Sequence, residues 1–259
     1  MSTRKTSVRI ALGVIASGSA IGLAAWCGLG EHVDSGPIST VSRLTPGSAA
    51  ETAGQRRAMT FGFDRSADAE GIPGGWTAIV SRGRMQVAVK RMPELSNERA
   101  LWMKSENASF LLANRSQPFD PAVFQIVRWS WMATSLPDGG DVRKNSLLFG
   151  ANCNDQALQL LVAFENKRVL SYVWDTTAPV ETEVDEPSVV ATVKTRVVDS
   201  GRTQAKSWRA HEVNIYNDYR RRFGASPPPT VSGIIVQTNS NHTGSIGAGW
   251  IGPISIVEP

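Results

Sequence analysis

The chain opens on one long apolar run, crosses a polar stretch, and then settles into short apolar segments separated by turn residues. Residues 10–29 read IALGVIASGSAIGLAAWCGL, with no charge in twenty positions. Arg4, Lys5 and Arg9 precede the run, and Glu31 and Asp34 follow it. A helix of about 20 apolar residues crosses a hydrocarbon core of about 30 Å, and basic flanks stay on the cytoplasmic side. The pattern predicts a cytoplasmic tip over 1–9, one inner-membrane span over 10–29, and a periplasmic, extracytoplasmic location for the rest. A cleaved signal peptide is the competing reading, with Gly22-Leu23-Ala24 as its small-x-small site, although such apolar regions normally run about 7–15 residues. Trp26 before Cys27 is too bulky for lipoprotein processing.

Small residues recur along the run. Ala16, Ala20 and Ala24 fall on one helical stripe, and Gly18 and Gly22 form a GxxxG on the next. Small residues at this spacing let a second helix approach closely, which predicts a membrane protein partner; the competing explanation is that leader segments are simply rich in Ala and Gly. Residues 30–57 are dominated by Ser, Thr, Gly, Pro and Ala and predict a flexible linker.

From residue 58 the texture is that of a β domain. Apolar segments over 59–63, 76–80, 85–89, 101–104, 110–113, 124–132, 158–164, 169–174, 189–198, 230–238 and 254–257 predict strands. Alternation along 124–132 puts Trp129 and Trp131 on one face and Arg128, Ser130 and Met132 on the other. Val213–Phe223 predicts one helix, stopped by Gly224 and Pro227-Pro228-Pro229. Many short strands with frequent turns predict a mainly β fold, an antiparallel jelly-roll β-sandwich over 58–259 with one helix in its C-terminal half.

Composition narrows the chemistry. A net charge of +4 over 259 residues, part of it in the tip and linker, does not announce nucleic acid. Two cysteines and three histidines exclude a disulfide framework and argue against a metal centre; a structural calcium, which needs only carbonyls and one or two carboxylates, stays open. No GxSxG, HExxH or Walker sequence is present, so neither catalytic residues nor a cofactor are expected. Among seven tryptophans of the domain, most serve as core; Trp129 and Trp131 form an aromatic platform for a glycan or partner only if their face is uncovered. The loop carrying Asn239, Asn241 and His242 is a candidate contact, against the simpler reading of a turn whose Asn side chains bond their own backbone. Arg220, Arg221 and Arg222 suit a helix carboxyl end.

Several segments together resemble a known family: Arg128-Trp129-Ser130-Trp131 with Leu136-Pro137, Leu170-Ser171-Tyr172-Val173-Trp174 with Ala178-Pro179, Asn217–Gly224 with Pro227-Pro228, the stretch Thr238–Gly244, and an entrance at Gly71-Ile72-Pro73-Gly74-Gly75-Trp76. They resemble the uncharacterised bacterial family catalogued as domain of unknown function number three thousand and forty-seven. The resemblance implies a secreted, galactose-binding-like β-sandwich without an established activity. Where the family carries acidic residues in its last loop, this chain has Asn239, Ser240 and Asn241, and Glu181 replaces a family glycine. The functional expectation is a non-enzymatic accessory subunit that packs against a larger membrane complex, respiratory or photosynthetic, and braces its outer face. The alternative is an envelope carbohydrate-binding module; a glycan-active enzyme is the lesser alternative.

Overall fold

The computed structural model describes residues 56–63, 70–145, 152–186, 188 and 191–259. The expected membrane span, its stripe of Ala16, Gly18, Ala20, Gly22 and Ala24, and nearly all of the linker lie outside the described residues. Among the described residues no helix is long and apolar enough to cross a membrane.

Two seven-stranded sheets face each other. The front sheet holds β1 (Ala58–Phe61), β3 (Gln86–Arg91), β4 (Arg99–Glu106), β6 (Ile126–Ser135), β11 (Arg209–Asn214), β13 (Ile246–Ile251) and β14 (Ile254–Val257). The back sheet runs β2 (Thr77–Arg82), β5 (Ser109–Asn114), β12 (Val231–Asn239), β7 (Leu158–Phe164), β8 (Arg168–Asp175), β10 (Thr192–Ser200), β9 (Glu183–Glu186). In the front sheet β11 pairs with one edge of β6, and β13 and β14 share its other edge. β13 and β14 thus act as one long strand interrupted at Gly252-Pro253. The inner faces meet in one core that includes Leu101, Met103, Trp129 and Trp131 from the front and Phe110, Leu160, Tyr172 and Trp174 from the back.

The sandwich is as expected, but it is not wholly antiparallel. β8 and β10 pair in parallel from Arg168↔Thr192 to Asp175↔Ser200. The chain leaves β8, runs first to the sheet edge as β9, and turns back as β10 into the intervening place. Three strands escaped the sequence pattern. β9 and β11 are half-exposed edge strands of polar residues. β13 contains Gly247 and Gly249, which read as turn residues, yet these glycines face inward where side chains crowd them. A Cβ on Gly249 would lie 2.6 Å from Leu158 Cδ1 and 2.8 Å from the Met132 carbonyl oxygen.

Helix α1 (Ile215–Phe223) follows β11 without a loop, because Asn214 caps it by accepting the Asn217 N–H at 2.9 Å. Tyr219 seats the helix against Phe164, with centroids 4.6 Å apart. Its arginines are held within the domain. Arg221 bonds Glu183 and Asp218, and Arg222 bonds Glu183 and Asp185, so they clamp the helix onto β9.

At one end of the sandwich, buried carboxylates pin the loops. Asp175 accepts N–H groups from Val142, Thr177 and Ala178. Burial pushes its carboxyl up to about 6, against the pull of those three bonds. Neighbouring Asp141 is held down at about 2 by its hydrogen bond with Arg143.

Two outcomes follow from this packing. Gly249→Ala should destabilise the fold by about 1–3 kcal/mol, the usual cost of forcing bulk into a filled core; urea denaturation measures it. Asp175 prefers its proton in the folded state, so its contribution is fully present below its unfolded value of about 3.8 and is lost as pH rises through about 6. Between pH 4 and 6 the wild type should therefore lose stability relative to Asp175→Asn, read from denaturation midpoints.

Candidate functional site

The alternation along β6 holds, and it settles which face is inside. Trp129 and Trp131 are 3% and 0% exposed and point into the core. Trp129 lies against Tyr172 (5.7 Å) and His211 (5.0 Å), and Trp131 packs on Trp174 (6.3 Å). Trp131 Nε1 donates to Asp199 Oδ2 at 2.7 Å, and His211 Nε2 meets the same oxygen at 2.6 Å. The back sheet covers this face, so the condition for an aromatic platform there is not met and the two rings serve as core. Two large rings on one strand need that cover, because leaving them in water would forfeit about 1.5–3 kcal/mol each.

The loop residues also divide. Asn239 is fully buried, and both ends of its amide are in use. Its Oδ1 accepts from Gln156 N and Gln159 Nε2, and its Nδ2 donates to the Asn154 carbonyl. It is a girder between β12 and the 154–159 segment and is no ligand contact. Asn241 and His242 are half-buried at the same end, and Asn241 Oδ1 and His242 Nδ1 have no hydrogen-bond partner. Cys153 is a free, half-buried thiol.

The solvent side of the front sheet carries an aromatic row that the sequence did not single out. Outward residues pair across four strands in the order Ala88, Trp102, Trp250, Met132. Their inward neighbours Leu101, Met103, Trp131 and Ile251 lie in the core. The rings of Trp102 and Trp250 sit 6.4 Å apart, tilted by 46°, and both are half-buried. Trp208 lies one residue before β11 and is half-buried.

Beside this row lies a groove of about 390 Å³ with a floor of small residues, Ser130, Ala210, Gly252 and Ser255. The small floor has a local cause: the strand interruption at Gly252-Pro253 removes side chains there, and Leu95 from the β3–β4 loop fills part of the gap. A Cβ on Gly252 would meet Leu95 Cδ1 at 2.8 Å. The far wall is polar. Arg128 Nε bonds Glu212 Oε2 at 2.6 Å, and both side chains are exposed. A second depression of about 340 Å³, lined by Arg91, Asn97 and Arg99, shares Glu98 and Pro253 with the first. The two adjoin at Glu98 and Pro253, with hydrogen-bonding groups along them and the Trp102–Trp250 pair on the same side of the sheet. Such a surface can hold a ligand that is apolar on its ring faces and polar at its rim. Among the described residues, no cluster of three His, Cys, Asp or Glu side chains could hold a metal ion.

Comparison with known proteins gives a family and distant structural likenesses. No curated protein matches the chain by sequence. Among solved structures, it is similar to the family 11 carbohydrate-binding module of the cellulosomal cellulase Lic26A-Cel5E of Clostridium thermocellum, at 10% identity over 80% of this chain and 97% of that chain, with a TM-score of 0.39. It is also similar to the enzymatically active domain of tailspike protein 4 of bacteriophage CBA120, at 9% identity over 71% of this chain and 19% of that chain, TM-score 0.36. A third is the low-affinity xylan-binding module CBM86 of Roseburia intestinalis, at 7% identity over 79% of this chain and 97% of that chain, TM-score 0.29. Scores this low have no bearing on ligand or activity. The family model described as "Protein of unknown function (DUF3047)" matches residues 75–255, most of the chain, and the chain belongs to that family.

Proposed function

We propose that the chain is a non-catalytic glycan-binding protein of the cell envelope, presented outside the cytoplasm by its amino-terminal apolar segment. One observation carries this reading: Trp102 and Trp250 pair on the solvent side of an antiparallel sheet, the side that ordinarily carries polar residues. Contiguous apolar surface facing water is a mark of interaction sites, and both half-buried rings keep part of their surface open to water. The tryptophan faces offer stacking for the C–H faces of sugar rings. The adjoining cleft offers donors and acceptors for their hydroxyls, with Arg128 and Glu212 already fixed by their mutual ion pair.

The location outside the cytoplasm rests on Arg4, Lys5, Arg9 and the uncharged run over 10–29. An accessory role in a membrane complex would rest on the stripe from Ala16 to Ala24, and nothing in the described residues bears on it.

Trp250→Ala and Trp102→Ala should each weaken binding to envelope polysaccharide by about tenfold or more, the equivalent of about 1.4 kcal/mol. Affinity electrophoresis in polysaccharide-containing gels reads this directly. Neither change should unfold the domain, whereas Trp131→Ala, in the core, should cost about 3–5 kcal/mol. Wild-type protein that binds no glycan, and instead loses a co-purifying protein when Trp250 is changed, would replace this reading with a protein-docking one. Protease added to spheroplasts should digest residues 58–259 without lysis; full protection would refute the external location.

A further inference from the structure

The β3–β4 hairpin carries a group of cations that the glycan reading has not yet used. Its register sets Arg91 directly opposite Arg99, with Lys90 opposite Ala100 in the next pair. Like charges placed directly opposite on paired strands repel and are destabilising. The turn that joins the strands is tightly built. Met92 N donates to the Glu98 carbonyl at 2.9 Å, and Asn97 N donates to the Met92 carbonyl at 3.0 Å. The hairpin therefore holds the two arginines close in spite of their charge, and that arrangement calls for an explanation.

Both arginines line the depression of about 340 Å³, together with Ser96, Asn97 and the single carboxylate Glu98. Arg91 is exposed, and its Nη1 donates to the Asn97 carbonyl at 3.0 Å. Among the described residues Arg91 has no acidic partner. A guanidinium presents five N–H donors in a fork, so this one bond leaves donors for a further acceptor. Lys90 is exposed two residues from Ala88, on the face of the tryptophan row. Two other cations of that face are already neutralised, since Lys104 pairs with Glu106 and Arg128 with Glu212.

We infer that Arg91 and Arg99 form a subsite for an anionic group, so that the ligand of the front sheet is an acidic polysaccharide. This rests on the glycan-binding reading and narrows its ligand. The carboxylate of an acidic sugar and a phosphate ester share the required chemistry, because each offers oxygens that accept paired N–H bonds from a guanidinium. A bound anion would also relieve the repulsion between the opposed arginines. Arg99 stands three residues before Trp102 on β4, about 10 Å along the strand. Alternation sends the two side chains to opposite sides of β4, but Arg99 is the first residue of the strand and lines the depression that adjoins the groove at Glu98 and Pro253. A sugar chain stacked on Trp102 can thus lay a charged unit against the arginines.

The test uses the full-length chain in mild detergent and two matched pairs of polymers. Polygalacturonate is compared with its fully methyl-esterified form, and a phosphomannan with the same mannan after dephosphorylation. The charged member of one pair should bind at least about tenfold more tightly than its neutral partner, and the gap should shrink as salt is raised. The pair that shows the gap identifies the anion as carboxylate or phosphate. Arg91→Gln and Arg99→Gln should each remove most of the gap while leaving neutral binding unchanged, and neither should lower the Tm, since each relieves a like-charge contact. Lys104→Gln, whose charge is already paired, should leave the gap intact, whereas Trp250→Ala should weaken charged and neutral forms alike. Equal binding of charged and neutral forms in both pairs would overturn the anionic subsite and leave the glycan reading standing. A gap that survives both arginine changes would also overturn it. Binding of no polymer, or binding indifferent to Trp250→Ala, would remove the glycan reading and this proposal with it.

Discussion

The front of the molecule is organised by the need to bury Trp129 and Trp131. Both sit on β6, two residues apart, so a strand with period two must send them the same way. Once they face the back sheet, Arg128, Ser130 and Met132 have to face water. A slip of one residue in the pairing of β6 would exchange the two sets and place an arginine in the core. Asp199 secures the arrangement from the opposite sheet. Burial works to raise its pKa, but the hydrogen bonds from His211 and Trp131 outweigh this and keep the carboxyl below its ordinary value. One carboxylate on β10 thus ties β6 and β11 together, and the outward row of β6 inherits its position from that tie.

The outer face builds on the same constraint. Met132 is outward because Trp131 is inward, and it becomes the neighbour of Trp250 across the β6–β13 ladder. Trp250 in turn meets Trp102 across β13–β4. The aromatic row is therefore a product of register across four strands. The interrupted strand adds the groove: where β13 gives way to β14, the sheet surface drops to glycine and serine on the same face as the row of rings.

How much of this was legible in the chain depended on where each signal resides. β7 is nearly all apolar, and β14 closes the domain with a short apolar run; both have the extents that their residues predict. The alternation of Trp129 and Trp131 was equally plain, yet whether their face is covered depends on a sheet formed by residues far away. Trp102 and Trp250 are distant in sequence, and nothing local marks them as a pair. β13 hid behind Gly247 and Gly249, because residues chosen for close approach of Leu158, Ser105 and Thr238 look like turn residues when read alone. Asn239 reads as part of a polar turn or contact loop, but its amide is bonded to the distant 154–159 segment. The helix was legible at its Gly224 stop; its start moved to Ile215 because Val213 and Asn214 continue the ladder with β6.

The first and last strands of the domain lie side by side, with Ala58 opposite Val257. Beyond them Arg57 and Glu258 are joined by backbone bonds as well as by their side chains. The polypeptide therefore enters and leaves the sandwich at one point, like a loop drawn through a single eyelet. Such a body can be carried as an insertion in another chain, or have residues 57 and 258 spliced together and be reopened at an exposed turn such as Gly139, without pulling apart either sheet. It also means that material attached on either side of the domain emerges from the same edge of the front sheet.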